Sequence, residues 1–532
     1  MADLKLDKRP GQLLRLLVAG ILVVHCILLA FGAAINAPTY DEYGHLVSGI
    51  LQWRYQANQY YCVNPPLVRM AAAIPVLRDG AAVQIRPQQS DDLRIRPEFV
   101  HAALFIRTVG PDIFRYIRHA RWACIPFSIV GGYVCWKWSR ELYGTRCSIA
   151  ALTLWCTSPL ILGHGQLITA DVGAASLGVA AAYLFWRWSC NPDWPSALVS
   201  GGVLGIAELS KFTLIMLLLV LPCISIFHLL TRTVDFRGRC HTVLQLGTIL
   251  LLSIYVINLA YGFEGTGTPL GSYRFYSRFL SGNKDLNNDA PSNRFKTSFV
   301  GRLPVPLPSW YCQGIDLQQC DFENEIPCYL NGVWRRGGWW YYYLFGLAIK
   351  ETLAFWILML GATYVSVFKR CHYRVSRTRF WGELFVMIPA IAFLVLLSAK
   401  PGLNRHLRYA IPVLPFAFIW ASKAALLSKG GCLSPARSEG AQRKCFPRKA
   451  MAAAIVLVLG HGIYSSLSSF PQNIAYFKWL DAGSPEGHSD EFWKQAQLEV
   501  AAQEQESYEP VDELDKTLWN VVVRGIRDCI LH

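Results

Sequence analysis

Two adjacent carboxylates, Asp41 and Glu42, stand in the segment APTYDEYGH (37–45), just past a long apolar run. Beside a lipid surface such groups suit proton abstraction, because desolvation raises a carboxyl pKa towards the working range. The same pair also suits a plain structural task, capping a helix that starts near Gly44. Next comes Asn64-Pro65-Pro66-Leu67, whose two prolines stiffen a turn and open a helix. In GHGQLITADVGA (163–174), Asp171 falls about one turn inside an apolar run. An ionisable residue there is costly unless it meets a cavity or a partner, so it reads as functional or as a hydrogen bond to a neighbouring helix. His164 reads either as a substrate ligand or as an interfacial histidine. Basic residues follow on the same side: Lys211, Lys350, Lys400, and the cluster Arg405, His406, Arg408 and Tyr409 in NRHLRY. Arginine and lysine at a membrane surface are matched to phosphate, or they snorkel towards lipid headgroups. For Lys350 there is also the adjacent Glu351, although neighbouring helix positions do not face each other.

These residues need a scaffold, and the composition says which kind. The 532 residues carry 51 Lys plus Arg and 36 Asp plus Glu, a net charge of +15, yet charged residues make up only 16% and apolar residues 53%. Soluble domains hold about 25% charged residues. Together with 18 Trp and long apolar runs, this excludes a soluble multidomain enzyme, a disordered chain and a small disulfide scaffold. A bilayer core asks for roughly 17–25 apolar residues per helix. Apolar runs lie near 13–35, 122–139, 147–163, 167–188, 196–210, 212–230, 242–261, 339–367, 381–398, 407–426 and 450–469, which predicts an all-α polytopic membrane protein of about eleven transmembrane helices. The first run is too long for a signal-peptide core and reads as uncleaved.

Lysine and arginine set the expected orientation. With the N-terminus cytoplasmic, every second connection is basic, ending with 369–379 and the linker 427–449. Topology thus accounts for much of the positive charge, and no nucleic-acid partner is called for. The extracytoplasmic side then receives two large loops, about 36–121 and 262–338, and a short tail, 471–532, beyond the membrane domain 1–470. Amphipathic stretches 44–55 and 66–77 read as juxtamembrane helices. Cys312, Cys320 and Cys328 offer either one disulfide with one thiol left over or three free thiols. No metal-protease, CxxC or nucleophile-elbow motif is present, and no soluble dinucleotide fold is visible for a nucleotide-sugar donor.

Taken in order, APTYDEYGH, NPPL, GHGQLITAD, AELSKFT (207–213), WWYYYLFGLAIKE (339–351) and NRHLRYAIPVLPF (404–416) resemble the membrane-embedded glycosyltransferases of the GT-C class, above all the protein O-mannosyltransferases and the lipid A aminoarabinose transferases. The resemblance runs from about residue 10 to 480. It implies a GT-C fold and a sugar donor carried on a polyprenyl phosphate. The acceptor would be a lipid, glycan or protein hydroxyl, with membrane lipids as surroundings. It gives Asp41 the general-base role, supported by Glu42 and Asp171, with inversion at the anomeric carbon. Lys211, Lys350, Arg405, His406, Arg408 and Tyr409 would hold the donor phosphate, and Asn64, Pro65, Pro66 and His164 would line the substrate loops. Some relatives use a divalent metal, for which Asp41, Glu42 and His45 are the available ligands. The same residues also fit a transporter or flippase of a lipid-linked anion, and a non-catalytic scaffold is the third reading.

Overall fold

The computed structural model describes residues 11–468 except 57, 82–93, 95, 283–290, 324–326, 369–376, 400–403, 405 and 430–447. The predicted tail 471–532, Lys400 and Arg405 therefore lie outside the described residues.

The described chain is almost wholly helical. It opens with α1 (Gln12–Ile35), then α2 (Tyr40–Tyr55), α3 (Leu67–Arg78) and α4 (Pro97–Val109) in the first large loop. Next come α5 (Asp112–Tyr143), α6 (Thr145–Thr157), α7 (Pro159–His164), α8 (Ala170–Cys190) and α9 (Trp194–Glu208). A 3₁₀ turn, Phe212–Met216, leads into α10 (Leu217–Leu230), followed by α11 (Phe236–Ala260). The second large loop holds α12 (Arg278–Ser281), α13 (Ser309–Glu323) and a hairpin of β1 (Pro327–Leu330) and β2 (Val333–Arg336). Then follow α14 (Tyr342–Lys350), α15 (Leu353–Phe368), α16 (Arg377–Ala399), a 3₁₀ segment Leu407–Val413, α17 (Leu414–Ala421) and α18 (Arg448–Ser468).

The eleven apolar runs fall largely on helix. Among the described residues, five segments are long and apolar enough to cross a membrane: Gln12–Ile35, Phe212–Leu230, Phe236–Ala260, Arg377–Ala399 and Leu407–Leu427. There are six if α14 and α15, bent by 113° at their junction, count as one. The other runs do not each lie on one such helix, for identifiable reasons. The run 147–163 breaks at Ser158-Pro159, where Ser158 leaves the helix and caps α7 by accepting from Ile161 N at 3.3 Å. α9 has 15 residues, and α8 is rich in small residues and carries Asp171 and Arg187. α5, at 32 residues, is far longer than the run inside it and begins in charged sequence. Gly144, at φ +96°, provides the left-handed corner between α5 and α6.

Two apolar cores matter for the site. The larger joins α5, α6, α8, α9, α16 and α17, with Trp138, Trp155 and Trp188 fully buried. The smaller is built by the first large loop itself: Leu46, Val47, Ile50 and Leu51 of α2 meet Ala72, Ala73 and Val76 of α3, Phe105 of α4, and Tyr116 and Ile117 of α5. The stretches expected as juxtamembrane helices are helical, and they bury their apolar faces against one another. Gly49 permits this, because a Cβ there would run into the Arg69 carbonyl. Among the described residues no disulfide joins Cys312, Cys320 or Cys328. Cys312 and Cys320 sit eight positions apart on one helix, about 12 Å by the helical rise, beyond the reach of a bridge, and Cys328 is buried on β1.

Candidate active site

The start of α2 divides the two adjacent acids. Thr39 is extended and Glu42 is the third residue of the helix, so the pair closes a capping box: Thr39 N donates to Glu42 Oε2 at 2.8 Å and Thr39 Oγ1 at 3.1 Å. Glu42 then points inward. Arg121 of α5 grips it with Nε to Oε1 at 2.8 Å and Nη2 to Oε2 at 2.7 Å, and Ile168 N donates to Oε1 at 3.2 Å. The remaining guanidinium donors reach the C-terminal carbonyls beyond α1, to Asn36 at 2.7 Å and Ala37 at 2.9 Å. Both side chains are sealed from solvent, and burial, which alone would raise the Glu42 carboxyl, is overcome by Arg121, so it is held below the ordinary range. With its oxygens taken, Glu42 cannot meet a substrate. It ties α1, α2, α5 and the loop before α8 together.

Asp41, one residue earlier, faces a different way, as adjacent helical positions must. Its side chain is 33% exposed and it accepts from Arg408 Nη2. Arg408 enters from the 3₁₀ segment Leu407–Val413, and its Nε lies 3.6 Å from Asp171 Oδ2 at the start of α8. The other oxygen of Asp171 accepts from Lys211 Nζ at 2.5 Å. The result is an alternating row of charges, Asp41–Arg408–Asp171–Lys211, assembled from four separate parts of the chain and opening from a closed inner end to an exposed Asp41. Tyr409 lies against the cations, its ring centre 4.6 Å from Lys211 Nζ and 5.8 Å from Arg408 Cζ. His406 packs edge-on to Tyr409 at 5.7 Å. Burial favours the neutral acid at Asp41, but Arg408, and less so His45 and His406, hold it ionised, at about 2. Burial lowers His45 to about 4, so its imidazole is neutral at neutral pH.

The predicted substrate-loop residues gather one step away. Tyr61 OH lies 3.3 Å from His45 Nε2, one turn along α2 from Asp41, and accepts from Asn64 Nδ2 at 2.8 Å. Arg69 clamps the turn by donating to the carbonyls of Asn64 at 2.5 Å and Pro65 at 3.4 Å, and lies 4.8 Å over the Tyr61 ring. Leu67, which starts α3 directly after Pro66, donates its N–H to the Leu209 carbonyl at 3.0 Å, so the proline turn docks beside Lys211. His164 ends α7 and is buried in the field of Asp171. Lys350 ends α14, one turn beyond Gly346, which packs on Leu407. Glu351 turns instead to Ser158, whose Oγ donates to it at 2.7 Å.

Thus Asp41, Asp171, Lys211, Arg408, Tyr409 and His406 come together and Asn64, Pro65 and Pro66 border them, whereas Lys350 is placed only at the end of α14. Of the available metal ligands Asp41, Glu42 and His45, Glu42 is spent on Arg121; among the described residues no group of three or more His, Cys, Asp or Glu is placed to hold a metal ion. Arg121, Tyr61 and Arg69 escaped notice in the sequence. Arg121 had a signal, a cation at the mouth of the apolar run 122–139.

Residues 107–261 match the family described as dolichyl-phosphate-mannose-protein mannosyltransferase, a stretch that includes Arg121, His164, Asp171 and Lys211. Residues 472–502, outside the described part, match a family of unknown function. No curated protein matches the chain. Among solved structures, ArnT from Cupriavidus metallidurans in the apo state is similar at 15% identity and TM-score 0.46, covering 89% of this chain and 78% of its own. The same protein bound to undecaprenyl phosphate gives 14% and 0.48, over 90% and 80%. The Archaeoglobus fulgidus oligosaccharyltransferase in the apo form gives 14% and 0.46, over 90% of this chain and 59% of that one. The chain is a mostly helical integral membrane protein that over residues 107–261 resembles the dolichyl-phosphate-mannose-protein mannosyltransferases.

Proposed function

We propose that the chain moves a sugar from a polyprenyl-phosphate donor to an acceptor hydroxyl at the extracytoplasmic membrane surface, with inversion at the anomeric carbon. The observation that carries this reading is the half-open charge row Asp41–Arg408–Asp171–Lys211. The family matched over 107–261 is described by a sugar on a polyprenyl phosphate, which supports the donor class.

The chemistry follows from the geometry. A donor phosphate bound at Arg408 and Lys211 becomes more negative as the bond from the anomeric carbon to the phosphate oxygen breaks. Cations already in place then favour the transition state over the ground state. Asp41 is a poor base while Arg408 holds it. When the phosphate draws on the same guanidinium, the carboxylate loses part of its counter-charge and gains affinity for a proton. Donor binding thereby switches on the base, which takes the acceptor hydroxyl proton as the oxygen attacks the anomeric carbon opposite the phosphate. Asp171 keeps Lys211 and Arg408 aimed. Lys350, and Arg405 beyond the described residues, belong to the same phosphate-binding face in this reading.

The test is to purify the full-length chain, identify co-extracted lipid by mass spectrometry, and supply a labelled polyprenyl-phosphate sugar in vesicles. Bound polyprenyl phosphate together with a new glycoside is expected. Lipid-linked sugar exchanging across the vesicle membrane with no glycosidic product would show a transporter instead.

A further inference from the structure

The hairpin of β1 and β2 plays no part in the charge row, and its surface has an unusual composition. Its register pairs Pro327 with Arg336, Cys328 with Arg335, Tyr329 with Trp334 and Leu330 with Val333. Directly paired residues share a face, so Pro327, Tyr329, Trp334 and Arg336 stand on one side. Cys328, on the other, is buried. The first side therefore looks outward. There Tyr329 and Trp334 are 44% and 45% exposed, with ring centres 5.4 Å apart. Asn331 and Gly332, at φ +48° and +83°, make the tight two-residue turn that fixes this register. Val333 projects from the tip, 57% exposed. A two-stranded ribbon has little stability of its own in water, and large apolar side chains on its free face call for a partner.

The chain itself says which one. Four residues after β2 comes Trp340, 66% exposed, then α14 and α15, whose Leu344, Ile349, Leu353, Ile357 and Leu360 continue the exposed apolar surface into the bent pair that can form a sixth span. Tryptophan and tyrosine prefer the headgroup level of a bilayer, and arginine matches lipid phosphate. We infer that the outward face of the β1–β2 hairpin lies in the outer-leaflet headgroup layer, with Trp334 and Tyr329 between headgroups and Arg336 on an anionic phospholipid phosphate. The second outer loop is thereby moored to the bilayer beside the site, independently of any reaction.

Photocrosslinking of the full chain in lipid nanodiscs tests this. A photoreactive residue, Trp334→benzoylphenylalanine, is compared with Leu360→benzoylphenylalanine on the lipid-facing side of α15 and Phe299→benzoylphenylalanine elsewhere in the second loop. Lipid adducts at 334 comparable to those at 360, and absent at 299, are expected. Adducts at 360 with none at 334, or adducts at 334 only to an added protein acceptor, overturn the inference. In discs containing phosphatidylglycerol, labelling at 334 should exceed that in phosphatidylcholine alone, and Arg336→Gln should cut this preference about fivefold, the effect of one cation near a charged membrane surface. A preference unchanged by Arg336→Gln overturns the phosphate contact.

Discussion

Two neighbouring ion-pair systems start from adjacent residues and are built to opposite ends. Glu42 and Arg121 form a closed clamp: each charge is buried, and every oxygen of the acid meets a donor. Asp41 and Arg408 form the open end of a row, with one acid a third exposed and the arginine shared with Asp171. A buried pair with all its hydrogen bonds made holds helices in register and leaves nothing for a ligand. A row that is neutral as a whole but shared and accessible can exchange a carboxylate for a phosphate. Asp41 reaches that row only because Glu42 fixes the first turn of α2 against Ile168, two residues before α8 and three before Asp171.

The contrast can be broken from either side. The largest effect on folding belongs to the clamp. Arg121→Leu leaves Glu42 charged and buried, and should cost about 3–5 kcal/mol of stability, read as a fall in the unfolding midpoint in detergent. Glu42→Gln together with Arg121→Leu should lose less than the two single changes summed, because no buried charge is then left unpaired. Additive losses would mean the two do not act as a pair. Arg408→Gln tests the open row. It should leave the midpoint close to the parent and lower sugar transfer about 10²–10³-fold, the scale for one donor aimed at developing charge. A collapse in stability instead would make Arg408 a second clamp.

A smaller effect concerns Glu98 on α4, buried beside the Tyr61 turn. Burial raises its carboxyl from 4.5 to about 7, against the pull of Arg96 at 3.5 Å. Between those values the folded protein keeps a proton that the unfolded chain has released. Stability therefore falls as pH rises through this window. Glu98→Gln should flatten that fall, measured as the difference in midpoint between about pH 5 and about pH 8. An undiminished pH dependence would assign it to other groups.

Much of this architecture was legible in the sequence. The apolar runs marked the helices, the proline pair marked the start of α3, and Asp171 announced itself by its position inside an apolar run. The division of labour between Asp41 and Glu42 was not legible. Thr39 and Glu42 spell a capping box, but only the fold brings Arg121, 79 positions away, onto the acid. Apolarity alone did not show where a run breaks, as at Ser158, or bends, as between Lys350 and Leu353. The hairpin had a clear local signal, Asn331-Gly332 between short apolar stretches, which the surrounding loop context hid.

The central claim is that the open acid takes the proton and the closed one does not. Its most direct measurement is single-turnover transfer from a labelled polyprenyl-phosphate sugar in membranes carrying Asp41→Asn. The account predicts a loss of about 10²–10⁴-fold, the range of general-base help, with donor binding and unfolding midpoint retained. Undiminished transfer by Asp41→Asn would contradict it.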